Sequence, residues 1–224
     1  RSDEHPLVIA GGPLAYNPEP FADFFDAFLI GDAEDIFPEA VKQLARIKDI
    51  SRADKLQELS RLPGIYIPSY YRPLYDTVGK YRGMEKADST APDTVQANHT
   101  ESLSPEYYAL KPIVPSITVE HDRLALEIMR GCTRGCRFCN AGIIHRPTRE
   151  RPAPEVAEQL DNSLKTTGYN ETSLLSLSTA DYSNLSELLR ELSRRIEGSG
   201  VSLSYPSLRP DDFTPEIARS IAAA

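Results

Sequence analysis

The pattern of hydrophobic and polar positions predicts short strands and helices in the first 68 residues. An apolar run over Leu7 to Ala10 ends in Gly11-Gly12-Pro13, which is typical of a buried strand that leads into a tight turn. Apolar positions recur at helical spacing over Glu19 to Phe25. A second apolar run, Ala27 to Ile30, is closed by Gly31-Asp32. We therefore predict a β-α-β unit.

Two amphipathic helices are predicted to follow this unit. Apolar and charged residues alternate with a period of about 3.6 over Ile36 to Ile47 and over Lys55 to Leu62, and Gly64 to Pro68 is predicted to be extended. From Ser69 to Pro115, prolines, tyrosines and polar residues show no sustained period. We predict that residues 69–115 link two domains, residues 1–68 and 116–224.

Strands and helices alternate regularly in the second half of the chain. A last helix is predicted to open at Thr214-Pro215-Glu216, because a capping residue and a proline in the first turn are typical of helix starts. This alternation favours an α/β fold with a parallel sheet. The predicted strands are Leu124 to Met129, Thr172 to Leu177 and Val201 to Tyr205, and the predicted helices are Pro154 to Leu164 and Leu185 to Ile196.

Composition favours a folded protein without a membrane span. The 224 residues are 40% hydrophobic, and no apolar run approaches the roughly 20 residues that a spanning helix needs. The formal net charge of -8, from 33 acidic and 25 basic residues, leaves nucleic acid unsupported as a partner. No export signal precedes the first strand, and the chain begins with Arg1. We expect a soluble cytoplasmic protein whose chain is truncated at both ends.

All three cysteines lie close together, as Cys132-x-x-x-Cys136-x-x-Cys139. An odd number of clustered cysteines does not match a disulfide framework, and three thiolates on one loop select zinc, copper(I) or iron-sulfur clusters over hard ions. Because a cubane cluster has four irons, three thiolates leave one iron open, and the sequence contains no fourth cysteine. Gly131 and Gly135 flank the first two cysteines and would allow close approach of the backbone to a cluster.

The segment Cys132-Thr-Arg-Gly-Cys136-Arg-Phe138-Cys139 resembles the signature of the radical S-adenosylmethionine superfamily. The resemblance implies that the three cysteines hold a 4Fe-4S cluster whose open iron binds the amino and carboxylate groups of S-adenosylmethionine. One electron, from a donor such as flavodoxin or ferredoxin, would then release a 5'-deoxyadenosyl radical that abstracts hydrogen from an unknown substrate. Methyl or methylthio transfer is the reaction type expected.

The residues alone leave two other classes of protein open. One is a zinc-stapled structural or interaction module, in which His145 completes a tetrahedral site with the three cysteines. The other is an iron-sulfur protein that transfers electrons without turning over a substrate. Zinc ligands more often come as two separated pairs, which favours the cluster.

The resemblance also implies a partial βα barrel whose site gathers on the loops after the strands. Phe138 and the turn from Asn140 to Gly142 are expected to border the adenine, and Asp181, Ser207 and Arg209 are expected to contact the amino acid or ribose. Asp181 follows a predicted strand where many relatives carry Gly-Gly-Glu. The alternatives are that Asp181 caps a helix or forms a turn, and that Arg209 pairs with Asp211 or Asp212 on the surface.

The first half resembles the last third of a cobalamin-binding Rossmann-like domain, through Gly11-Gly12 and Gly31-Asp32-Ala-Glu34. The Asp-x-His-x-x-Gly element that supplies the lower cobalt ligand has only a near match at Asp3-Glu-His5, because Val8 stands where glycine is required. We expect a scaffold role for this half, with cobalamin binding as the alternative. Together, these resemblances imply the rear of a Rossmann-like domain followed by the first half of a radical-enzyme barrel.

Overall fold

The computed structural model describes residues 2–209, together with Pro215 and Ala218. The chain divides into two units, Arg1–Thr100 and Glu101–Ala224. The division falls inside the stretch 69–115 that the sequence predicts as a linker. The domain limits at residues 68 and 116 stay a prediction.

The first unit is built on a small three-stranded sheet. Its strands are β1 (Ile9–Ala10), β2 (Ala27–Leu29) and β3 (Ile65–Tyr66), in the order β1-β2-β3. β2 runs parallel to β1 and antiparallel to β3. All three residues of β2 are buried, as expected for an apolar strand that is covered on both faces. Each strand is shorter than the apolar run that predicted it.

Two α-helices share a buried cluster with this sheet. α1 spans Ile36–Arg46 and α2 spans Arg52–Leu59, close to the predicted limits. Ser51 caps α2, because its Oγ accepts the backbone N–H of Asp54 at 3.1 Å. The buried cluster contains Ala27, Leu29, Ile36, Ala40, Leu56, Leu59, Ile65, Ile67, Tyr70 and Ala91.

The predicted helix after β1 is a 3-10 helix, Glu19–Phe24. The segment is only six residues long, and Pro20 at its start has no backbone N–H to donate. A piece this short gains too little from propagation to settle as an α-helix. The predicted β-α-β unit is therefore present with a tighter connecting helix.

A β-hairpin lies within the predicted linker. β4 (Tyr71–Tyr75) and β5 (Tyr81–Lys86) are antiparallel and turn through Asp76, whose Oδ1 accepts the backbone N–H groups of Val78 at 3.0 Å and Lys80 at 2.8 Å. No residue of either strand is buried. The hairpin therefore lacks the alternation of apolar and polar residues that predicts a half-buried strand.

The turn after β2 is closed by the chain itself. Gly31 has φ 104°, and a Cβ at this position would lie 2.0 Å from the carbonyl oxygen of Asn98. The backbone N–H of Asn98 donates to Ile30 at 2.8 Å, and that of Asp32 donates to Asn98 at 2.8 Å. Only glycine permits this conformation together with this approach. The glycine turn that resembles a ligand-binding loop is thus packed against residue 98.

The second unit contains a three-stranded parallel sheet. The unit has the strands β6 (Leu124–Glu127), β7 (Met129–Arg130), β8 (Arg149–Glu150), β9 (Glu171–Leu175) and β10 (Ser202–Ser204). β6, β9 and β10 are parallel and lie in that order, whereas β7 and β8 form a separate antiparallel pair. Parallel neighbours that follow one another along the chain are the arrangement at the start of a βα barrel. The predicted α/β class is confirmed.

Helices connect the parallel strands. α3 (Ala141–Ile144) and α4 (Ala153–Thr167) lie between β6 and β9, and α5 (Leu185–Ile196) lies between β9 and β10. α5 has the limits that the sequence predicts. Its leucines join β6, β9 and α4 in one core. The core contains Leu124, Leu126, Ile128, Met129, Ala153, Val156, Ala157, Leu160, Leu174, Tyr182, Leu185, Leu188, Leu189, Leu192, Ile196 and Leu203.

Two other expectations concern the end of the chain and the membrane. The helix predicted to open at Thr214-Pro215-Glu216 lies outside the described residues, apart from Pro215 and Ala218. Among the described residues, no helix combines the length and the apolar character that crossing a bilayer requires.

We expect Gly31→Ala to lower the free energy of unfolding by about 2 to 4 kcal/mol, because strain at positive φ adds to the collision with Asn98. Gly79→Ala is the matched control. Gly79 also has positive φ, but a Cβ there would meet nothing within 4 Å, so a loss of about 1 kcal/mol is expected. Urea denaturation measures both. Equal losses would show that the contact with Asn98 does not matter.

Candidate active site

The cysteine loop begins directly after β7 and ends at α3. Cys132 is buried, Cys136 and Cys139 are half-buried, and all three thiols are free of disulfides. Gly131, with φ 88°, starts the loop, and a Cβ there would lie 2.6 Å from the carbonyl oxygen of His145. Glycine is therefore required at residue 131, where the segment after the loop packs against its beginning.

Each sulfur atom accepts a hydrogen bond from a different part of the unit. The backbone N–H of Arg134 donates to Cys132 Sγ at 3.4 Å, and that of Gly142 donates to Cys139 Sγ at 3.4 Å. The Arg209 guanidinium, after β10, donates to Cys136 Sγ at 3.7 Å. Hydrogen bonds to sulfur are a common feature of iron-sulfur sites. The three sulfurs therefore suit a soft metal group such as an iron-sulfur cluster.

The alternative zinc site depends on His145. This residue ends α3, where its backbone N–H donates to Ala141 at 3.2 Å. In the described part of the chain, no three His, Cys, Asp or Glu side chains converge as the ligands of a single metal ion would. A tetrahedral zinc site needs four ligands around one ion, whereas a cubane cluster offers a different iron to each thiolate.

Asp181 lies at the end of a 3-10 helix, Thr179–Asp181, that follows β9. Arg134 Nε donates to both carboxylate oxygens, at 2.9 and 2.8 Å, and Nη2 makes a further contact with Oδ1. The Arg134 hydrogen bonds hold the pKa of the Asp181 carboxyl below its ordinary value, with partial burial opposing them. The cap or turn role of Asp181 stays a prediction, and its carboxylate contacts the cysteine loop through Arg134.

The end of β10 is tied to the end of β9. The buried Thr179 donates through Oγ1 to the carbonyl oxygen of Pro206 at 2.7 Å, and its backbone N–H donates to Ser207 at 3.3 Å. Ser207 itself is exposed and has φ 62°. The residues predicted for a surface pair with Arg209, Asp211 and Asp212, lie outside the described residues. The structure therefore brings Asp181, Ser207 and Arg209 to the edge of the sheet where the cysteines lie.

The residues predicted to border the adenine differ in their surroundings. Phe138 is 92% exposed, so its ring shields none of the sulfurs in this arrangement. Asn140 is exposed, and its carbonyl oxygen accepts the backbone N–H groups of Ile143 and Ile144 as α3 starts. Gly142 is buried against Cys139. Contact of these three residues with adenine stays a prediction.

Sequence reasoning missed a buried polar network at the end of β6. Arg151 is 1% exposed, and its Nη1 donates to the carbonyl oxygen of Glu127 at 2.9 Å and to Gln159 Oε1 at 2.6 Å. Its guanidinium lies 3.7 Å from the centre of the Tyr108 ring. Tyr182 Oη donates to the carbonyl oxygen of Arg151 at 2.7 Å. The segment after the loop is therefore fixed to β6 and to the turn that follows β9.

The Glu127 carboxylate is the acidic part of this network. Tyr108 Oη donates to it at 2.7 Å and Arg130 Nε at 3.0 Å. Burial, and next the hydrogen bond to Glu127, raise the pKa of the Tyr108 hydroxyl, so that it remains a donor. The signal in the sequence was a glutamate inside an otherwise apolar strand, since such a residue is rarely buried without partners.

We expect Arg151→Met to lower the free energy of unfolding by about 3 kcal/mol, because Gln159 and the Glu127 carbonyl would lose a buried charged donor. Arg190→Met, at an exposed position of α5, should change it by less than about 0.5 kcal/mol. Chemical denaturation compares the two variants. A loss below about 1 kcal/mol for Arg151→Met would mean that methionine replaces the network without penalty.

Comparison with known families gives two matches along the chain. Residues 1–68 match the family of radical SAM proteins, N-terminal, and residues 126–224 match the radical SAM superfamily. The second match includes the cysteine loop, β9 and β10. Residues 69–125 lie between the two matches.

Two curated proteins are similar in sequence. A protein of Methanocaldococcus jannaschii, described as uncharacterized, is 27% identical over 222 residues, which are 98% of this chain and 41% of that protein. A tRNA-2-methylthio-N(6)-dimethylallyladenosine synthase of Chlorobium phaeobacteroides is 30% identical over 104 residues, which are 44% of this chain and 23% of that enzyme. The chain thus spans less than half the length of either relative.

Two solved structures are similar in fold. One is the radical S-adenosylmethionine methyltransferase TsrM from Kitasatospora setae, with cobalamin and a 4Fe-4S cluster bound. Its TM-score is 0.58 at 16% identity, and the match covers 97% of this chain and 40% of that one. The other is the cobalamin-dependent radical enzyme OxsB, with a TM-score of 0.50 at 15% identity over 89% of this chain and 25% of that one.

These matches agree with the geometry of the cysteine loop. The three thiols follow the first strand of a parallel sheet, and the fold of that sheet is shared with two radical enzymes. One family match from this superfamily lies in each unit of the chain. Residues 126–224, which include the cysteine loop, therefore form a domain of the radical S-adenosylmethionine superfamily.

Proposed function

We propose that this chain is part of an enzyme that cleaves S-adenosylmethionine reductively and uses the 5'-deoxyadenosyl radical to abstract hydrogen from its substrate. One observation carries the proposal. Three free thiols lie on one loop after a parallel strand, each accepts a hydrogen bond, and the sequence has no fourth cysteine. When bound, a 4Fe-4S cluster supplies an open iron for the sulfonium cofactor and passes on the electron that breaks its carbon-sulfur bond.

The protein's own residues bind and tune this group. Cys132, Cys136 and Cys139 are its ligands. The amides of Arg134 and Gly142 and the Arg209 guanidinium offset the negative charge that the thiolates carry. Hydrogen bonds to cluster sulfur atoms are one of the means by which a protein sets the reduction potential.

The proposal extends to the group that is transferred and to the substrate. Similar proteins are described as a methyltransferase and as a methylthio-tRNA synthase. We therefore propose methyl or methylthio transfer. The formal net charge of -8 gives no support for a nucleic-acid substrate bound by this part of the protein. Electrons come from a reduced carrier such as flavodoxin or ferredoxin, and free thiols with an oxygen-sensitive cluster suit the reducing cytoplasm.

Cobalamin is supported only by the shared fold with TsrM and OxsB. The lower-ligand motif is broken at Val8. The turn at Gly31 is packed against Asn98 of the same unit, which accounts for its glycine without a bound ligand. Cobalamin binding therefore stays the alternative for this unit, and we derive no step through this cofactor. The first unit is proposed to be a scaffold.

The test is anaerobic reconstitution of the full-length protein with iron and sulfide. We expect a brown protein with about four irons per chain that, once reduced, converts S-adenosylmethionine to 5'-deoxyadenosine and methionine. Cys132→Ser, Cys136→Ser and Cys139→Ser should each lose nearly all of this cleavage, because each removes one cluster ligand. Thr133→Ser, an exposed change within the same loop, should keep it.

Two results would contradict the proposal. A colourless protein that retains one zinc per chain would support the structural or interaction module. A brown protein that leaves S-adenosylmethionine intact under strong reduction would support an electron-transfer role. Iron analysis, absorption spectra and chromatography of the products distinguish the three outcomes.

A further inference from the structure

We propose that Asp181 is a positioning residue that fixes the cysteine loop through Arg134, rather than a direct ligand of S-adenosylmethionine. The inference rests on the proposed function, because it assigns how the loop is held for a bound cluster. It goes against the role that the resemblance implies for this position.

Arg134 lies at the centre of the loop, two positions from both Cys132 and Cys136. Its backbone N–H donates to Cys132 Sγ at 3.4 Å. Its carbonyl oxygen lies 3.7 Å from the position a Cβ would take on Gly142, whose own N–H donates to Cys139 Sγ. A shift of the Arg134 backbone would therefore disturb the surroundings of two sulfur atoms.

The side chain of Arg134 is the main anchor for this part of the loop. Thr133, Gly135, Arg137 and Phe138 are all exposed, and nothing would lie within 4 Å of a Cβ on Gly135. The Arg134 guanidinium, in contrast, reaches across to the residue that ends the turn after β9 and contacts both of its carboxylate oxygens. A two-pronged contact of this kind fixes direction as well as distance.

Asp181 is itself firmly held. Its backbone N–H donates to Ser178 at 3.1 Å, and its side chain is 14% exposed. The neighbouring Thr179 is buried and ties the turn to Pro206. The carboxylate therefore links Arg134 of the loop to the ends of β9 and β10. Metal ligands are commonly oriented by residues that do not bind the metal but form hydrogen bonds to the ligands or to their segment.

The charge of Asp181 is already balanced. Arg134 bonds both oxygens, and Arg209 adds a second favourable interaction with the carboxylate. The ammonium group of S-adenosylmethionine would meet a carboxylate whose charge is already offset by two arginines, so it would gain less from an ion pair there. The arrangement favours Asp181 as a partner of the loop.

A double-mutant cycle in the full-length, reconstituted protein tests the inference. The variants are Asp181→Asn, Arg134→Gln and the combination of both, and Asp161→Asn is the control. Asp161 also forms an ion pair with an arginine, Arg195. This pair joins α4 to α5 and does not involve the cysteine loop. Measurements without S-adenosylmethionine are the rate of iron loss to a chelator and the electron paramagnetic resonance spectrum of the reduced cluster. Urea midpoints monitor folding.

We expect each single variant to speed iron loss by about 10-fold and to change the spectrum, as loss of an outer partner of metal ligands commonly does. The double variant should match the single variants, because both changes break the same contact. Arg134→Lys should fall between wild type and Arg134→Gln, since lysine keeps the charge but not the two-pronged geometry. Asp161→Asn should leave iron loss and the spectrum unchanged.

The opposite pattern would overturn the inference. Asp181→Asn would then leave the cofactor-free cluster unchanged and would weaken S-adenosylmethionine binding equally with and without the Arg134→Gln change. Faster iron loss that merely follows a lowered urea midpoint, with an unchanged spectrum, would also overturn it. A wild-type protein that takes up no iron would overturn the proposed function first, which separates the two failures.

Discussion

The parallel pairing of β6 with β9, and of β9 with β10, places three strand ends at one edge of the second unit. Everything that surrounds the cysteine loop depends on this pairing. The loop follows the first strand, Asp181 follows the second and Arg209 follows the third. Residues that are 47 and 73 positions apart along the chain are thereby brought within hydrogen-bonding distance. Because parallel strands require crossover connections, α4 and α5 are as necessary to the site as the residues that line it.

The polar network at the end of β6 holds the two ends of the cysteine loop in place, although many residues of the loop are exposed. Glu127 bonds Arg130 at the start of the loop, and Arg151 binds the carbonyl of Glu127 from the far side of the loop. Both ends of the cysteine segment are thus attached to the same strand. Among the described residues the buried Arg151 Nε has no hydrogen-bond partner, so the network is only partly satisfied. The contacts that are made, from Arg130 and Arg151 to Glu127, still favour one position of the strand end.

The sequence was informative where a local pattern was sufficient. α5 has the limits predicted from its leucines, because an amphipathic helix shows its buried face in its own period. The cysteine spacing likewise indicated one loop and one group of ligands. The hairpin of β4 and β5 was missed because its strands are not buried and so carry no alternating pattern. The turn at Gly31 resembled a ligand-binding turn, but in the structure it packs against Asn98. A local sequence pattern cannot predict a contact between residues that are 67 positions apart. The pairs Arg134–Asp181 and Arg209–Cys136 were hidden for the same reason.

The contact between Arg209 and Cys136 affects when the site can form during synthesis of the chain. The sulfur donors of the loop are synthesised early, whereas the guanidinium that contacts Cys136 emerges from the ribosome 73 residues later. Until β10 has paired with β9, the second thiol lacks its cationic neighbour. The surroundings of the three thiols are therefore complete only after translation has passed the third strand, so that the site forms together with the sheet.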